Sequence, residues 1–189
     1  MDIPIPREPV TVTPWFTKFV ECFFAGVIAV NGVFMFLPLV GLRFVPALLF
    51  GQIILGIVAG IGFSFPWHKL ESRRRINSGK LHAWLRGILR YWLAFEIATY
   101  GFAKVFKTQF AVSFLRDDTP VGRLSGFELT WNYYGHSYAL SIIIASMQIG
   151  GSILLLFRHT TLLGVVILLP VLINIFLIDF FYQIAFGRF

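Results

Sequence analysis

Residues 161 to 181, TLLGVVILLPVLINIFLIDFF, contain one charged side chain, and residues 138 to 157, YALSIIIASMQIGGSILLLF, contain none. Runs of that length and polarity have few structural options. About 20 apolar residues wound at about 1.5 Å each cover the hydrocarbon core of a bilayer, and a helix satisfies every backbone N–H and C=O there without water. The rest of the chain agrees: 57% of its residues are hydrophobic and only 13% charged, where a water-soluble domain carries about a quarter charged residues. A chain of 189 residues holds about five such spans and their connections, with little left for a soluble catalytic domain.

The expected fold is therefore an all-α integral membrane bundle of five transmembrane helices. Residues 1–14, with Pro4, Pro6, Pro9 and Pro14, read as an extended N-terminal arm. The spans fall at about 15–41, 44–67, 85–106, 138–157 and 161–186, forming a single bundle over 15–189. The first apolar run is too long for a signal-peptide core and no A-x-A-like site follows it, so it is expected to remain. Span two carries Gly56 and Gly60 at a GxxxG spacing, which reads as local helix packing ahead of a dimer face. In the last long connection Ser125 and Glu128 have capping-box spacing and Gly135 is placed as a stop, which predicts a short interfacial helix over about 126–134.

The net charge of +7 does not point to nucleic acid, because the basic residues crowd beside the apolar runs. Seven of them lie between residues 67 and 90, and Arg158 sits in the short turn before the last span. Placing both at the cytoplasmic face puts the N-terminus inside and the C-terminus outside. Cys22, the single cysteine, falls within span one, which excludes an intrachain disulfide and a CxxC redox pair.

The segment RYWLAFEIATYGFAKVF, residues 90–106, reads as part of span three yet contains Arg90, Glu96 and Lys104. Counted from Leu85 at the inner surface, Glu96 lies about 16 Å deep, out of reach of either aqueous face. A carboxyl there has to face other helices or a wet cavity. Gln148 and Gln52 fall at a similar depth and Asn31 lies in the middle to outer part of span one, so Asn31, Gln52, Glu96 and Gln148 are candidates for one polar layer. Tyr100 and Lys104 follow Glu96 at steps of four, on one stripe of the helix. By the same depth count Lys104 is level with Asp179, and Glu21 with Arg90, giving two expected ion pairs. Such groups either tie helices together or mark a proton or ligand path.

Other chemistries find little support. His68, His82, His136 and His159 all fall at expected surfaces, so neither a haem ligand pair nor a metal site is predicted. HExxH, Walker and GxSxG motifs are absent. His136 with Tyr133, Tyr134 and Glu128 reads as an interfacial aromatic belt ahead of an outer binding site.

RYWLAFEIATYGFAKVF resembles the first conserved segment of the DoxX family of small bacterial membrane proteins, through Arg90, Gly101 and Lys104. ASMQIGGSILLLFRHTTLLGVV is similar to that family's second segment, through Gly150, Gly151 and Arg158, although the family often has glutamate where this chain has Gln148. The resemblance covers roughly residues 86 to 182. It implies a compact helical bundle in the bacterial cytoplasmic membrane and, in some members, association with quinone-linked sulfur oxidation, with a quinone as the implied cofactor. More remotely the chain is similar to the vitamin K epoxide reductase and carboxylase bundles, but the missing CxxC argues against reductase chemistry. Three expectations follow: an accessory subunit of a quinone-linked redox or biosynthetic complex, a structural subunit of a larger membrane assembly, or a small transporter with a Glu96, Tyr100 and Gln148 relay. Membrane lipids and other membrane subunits are the expected partners.

Overall fold

The computed structural model describes residues 13–36, 47–73, 76–110, 120–182 and 184, with residues 34–36 and 47–49 described by their backbone alone. The described residues are helical, with no strand among them. The helices are α1 (Trp15–Phe36), α2 (Ala47–Ser72), α3 (Ser78–Val105), α4 (Gly126–His136), α5 (Tyr138–Leu156) and α6 (Thr161–Phe181), with a 3-10 turn at Val121–Arg123. The expected arm over 1–14 falls almost wholly outside the described residues, as do 37–41, 44–46, 183 and 185–186 of the expected spans.

Among the described residues four helices are long and apolar enough to cross a membrane: α1, α2, α5 and α6. The chain is a multi-pass membrane protein whose apolar helices meet lipid. Five spans were expected, and α3 is the exception. It is 28 residues long, but every stretch of 18 residues within it holds at least three of Lys80, Arg86, Arg90, Glu96 and Lys104. Its start also differs, at Ser78 rather than Leu85. Asn77 Oδ1 accepts from Lys80 N at 3.2 Å and so caps a first turn that apolar content alone does not reveal. Similarly α2 runs through Pro66 to Ser72, beyond the expected end at Trp67.

The chain divides into two compact units, residues 1–89 and 90–189, with the boundary inside α3. In the first unit α1 and α2 lie close enough to need small residues where they meet. A Cβ added at Gly60 would come within 2.8 Å of the Phe19 ring, and one at Gly56 within 2.7 Å of Val27. The GxxxG spacing is thus used within the chain, as local packing. Phe19 and Phe23 continue a stacked ladder begun by Trp15, with ring centroids 5.4 and 6.2 Å apart.

In the second unit α5 and α6 make the closest pair. Gly151 admits the Leu168 side chain, which a Cβ would meet at 2.5 Å. Ala94, Ile97, Leu155 and Leu168 form the buried core, with Leu172 against it. The expected capping box of α4 is present: Ser125 Oγ accepts from Glu128 N and the Glu128 carboxylate accepts from Ser125 N. The helix runs through Gly135, the expected stop, and ends at His136. Ser141 Oγ then donates to the Tyr134 carbonyl at 2.8 Å, tying the start of α5 to the end of α4.

Candidate functional site

A pocket of about 600 Å³ opens in the second unit among α3, α4, α5 and α6. One close approach joins its α3 and α5 walls. Gly101 of α3 faces α5, where a Cβ would fall 2.7 Å from Ile149 Cγ1 and 3.3 Å from Gln148 Cβ. The missing side chain lets α5 bring Gln148 beside α3, so that Glu96, Tyr100 and Gln148 line one space. Glu96 and Gln148 of the expected polar layer are therefore together, with Tyr100 of the Glu96 stripe beside them. The other two, Asn31 and Gln52, are half-buried residues of α1 and α2 in the first unit.

The walls are mostly apolar, and an aromatic group closes one side. Phe110 stacks on Tyr134 at 5.2 Å and meets Trp131 edge-on at 5.1 Å. The turn carrying Phe110 has two non-glycine residues in the left-handed region, Lys107 at φ 55° and Phe110 at φ 62°. Such backbone is costly for a bulky residue, and these ring contacts offset it. The Tyr134 hydroxyl donates to Asn174 Oδ1 at 3.0 Å. Burial, and then neighbouring Tyr133, push the Tyr134 phenol above its usual pKa and keep it a donor.

Lys104 and Asp179 both line this pocket, but the expected ion pair between them does not form. Lys104 Nζ donates to Gln109 Oε1 at 2.9 Å and to the Tyr100 carbonyl at 3.3 Å, and lies 5.6 Å from the Phe110 ring centroid. The reversed backbone after α3 folds Gln109 back over the ammonium, giving it a local partner. Glu21 likewise has partners other than the expected Arg90. His82 Nδ1 lies 2.5 Å from Glu21 Oε2, and Arg86 Nε donates to Glu21 Oε1 at 2.7 Å. Arg90, one turn further along α3, donates to Thr161 Oγ1 and Tyr91 Oη.

The pair around Glu21 belongs to a larger network in the first unit that the sequence reading did not contain. Lys18, 0% exposed, donates to Glu71 Oε2 and contacts His68 Nδ1 at 3.1 Å. Thr13 Oγ1 donates to Glu71 Oε1 at 2.9 Å and lies 3.3 Å from His82 Nε2. A continuous chain of polar contacts thus runs from His68 through Lys18, Glu71, Thr13, His82 and Glu21 to Arg86. His82, expected at the surface, is buried against the Trp67 ring at 4.5 Å. Trp67 in turn donates from Nε1 to Ser78 Oγ at 2.7 Å. Among the described residues no three His, Cys, Asp or Glu side chains are grouped as a metal site.

No protein-family profile matches the sequence, and no solved structure matches it. Over 96 residues, 51% of the chain, it is 35% identical to an uncharacterized protein, YwoB, of Bacillus subtilis (strain 168). The chain spans 61% of that relative's length.

Proposed function

We propose that this protein is an accessory subunit of a bacterial membrane complex, of the DoxX-like kind its two motifs resemble, and that it holds a lipid-soluble ring compound such as a quinone in its second unit. The pocket carries this reading. At about 600 Å³ it has the size of a small-ligand site, and its apolar and aromatic walls with a few converging polar groups have the composition of one. A catalytic constellation is not part of the proposal: the ligand is held, and a partner subunit supplies the chemistry.

In this reading α3 is a fifth span. Its charged residues are accommodated because Glu96 and Lys104 line the pocket rather than lipid. The basic connection after α2 lies in the cytoplasm with the N-terminus, and α4 lies in the outer interface with its own Tyr133 and with Tyr138 at the start of α5. The bilayer is the bacterial cytoplasmic membrane.

The test is extraction of the native chain with its surrounding lipid in a polymer nanodisc, followed by mass spectrometry of both polypeptides and organic extract. A stoichiometric partner polypeptide and an enriched ring compound are expected. Bulk lipid alone, with no second polypeptide, would contradict the proposal. A second reading, a proton or solute relay, is favoured by Glu96, Tyr100 and Gln148 lining the same space. It requires that Glu96→Gln abolish uptake into proteoliposomes, where a subunit that only holds a ligand shows no uptake to lose.

A further inference from the structure

Gln148 is 1% exposed, lines the pocket, and its Oε1 has no hydrogen-bond partner. A buried amide oxygen left bare is unusual, because burial without a partner forfeits the hydrogen bonds that water would have made. The amide sits on α5 beside Gly101 of α3.

Three donor-bearing side chains of the lining are turned onto other atoms: Lys104 to Gln109 and the Tyr100 carbonyl, Tyr134 to Asn174, and Thr130 to the Gly126 carbonyl. None of them is directed at Gln148 Oε1. A ligand that only accepts hydrogen bonds would leave that oxygen bare.

We propose that the occupant presents a hydrogen-bond donor, a hydroxyl on a flat apolar ring, to Gln148 Oε1. The ring lies against the aromatic side formed by Phe110, Trp131 and Tyr134, and the hydroxyl reaches the amide beside α3. This rests on the reading of the pocket as a ligand site, and adds that the ligand's protonated, hydroxyl-bearing form is the one bound.

The probes are para-hexylphenol and its methyl ether, which share a body and differ by one donor. Binding of each to the full chain in nanodiscs is measured by equilibrium dialysis against empty nanodiscs of the same lipid. The phenol is expected to bind about tenfold more tightly than the ether, the size of one buried hydrogen bond. Gln148→Leu should bring the phenol to the ether's level and leave the ether unchanged. Equal binding of the two probes to the unaltered chain overturns the inference and leaves the pocket reading intact, and needs no variant to fold. A preference that survives Gln148→Leu in folded protein overturns it also. Binding of neither probe overturns both readings.

Discussion

Lys18 and Glu71, separated by 53 positions in sequence, form a buried ion pair that joins the start of α1 to the last turn of α2. Thr13 and His68 also contact these two charges, and the Lys18 ammonium lies 5.9 Å from the Trp67 ring centroid. Removing one member of such a pair strands the other without solvent. Lys18→Met should therefore destabilise the protein by about 3 to 5 kcal/mol, and Lys18→Met with Glu71→Met should recover most of that loss. Thermal unfolding in detergent, followed by fluorescence-detected gel filtration, compares the three proteins. A double variant as unstable as the single one would mean that packing, not charge, holds this corner.

The Glu128 carboxylate accepts from the Ser125 backbone N–H and then from its hydroxyl, which holds it below the usual carboxylate range. A carboxylate with a depressed folded pKa adds stability above its ordinary pKa, and loses that contribution as pH falls through the lower folded value. The order of α4 should therefore weaken in acid below the ordinary glutamate range, read from near-ultraviolet circular dichroism of the stacked Phe127 and Trp131. Glu128→Gln should flatten this dependence, and Ser125→Ala should cost about 1 kcal/mol at neutral pH.

At Gly101 the pocket and the packing of α3 on α5 meet. Gly101→Val places methyl groups where Ile149 and Gln148 already stand, an overpacking that should cost about 1 to 3 kcal/mol. Ligand binding should fall along with the melting temperature. Retained affinity in a destabilised protein would separate the pocket from this contact.

For Gly60 the expectation is different. Gly60→Leu drives a side chain into the Phe19 ring of the same chain, so the melting temperature should drop with no change in oligomeric state by native mass spectrometry. Dissociation of an oligomer would instead assign the glycine spacing to an intermolecular face.

The proposed fifth span has its own readout. In a Cys22→Ala background, Asn77→Cys and Gly122→Cys flank α3 and should be labelled from opposite sides of the membrane by an impermeant maleimide. Labelling from one side would mean that α3 does not cross.

The readable parts of this chain carry local, periodic or short-range signals. The apolar runs of α5 and α6 announce themselves, and Ser125 with Glu128 announces α4, because each effect is confined to neighbouring residues. Pairing across helices is not local. Depth along a span placed Lys104 level with Asp179, but depth says nothing about a backbone that reverses after Val105 and returns Gln109 to the ammonium. Nor does it say which faces of α1 and α2 meet, on which the burial of Lys18 depends. The gathering of Glu96 and Gln148 was foreseeable in part from their common depth, and that of Tyr100 from its place on the Glu96 stripe. The empty Cβ position at Gly101 that brings them together shows only in three dimensions.

The charges of α3 bear on how the protein is made. Taken as a span, a helix with Glu96 near its middle is a poor substrate for lateral release from the translocon, since an ionisable group at mid-membrane adds about 2.5 to 3.5 kcal/mol to its insertion. The neighbour that receives its glycine face, α5, is synthesised more than thirty residues later. Biogenesis would then be post-sequential, with α3 retained beside the channel until α5 emerges, and in a nascent chain arrested before residue 138 it would still cross-link to the channel.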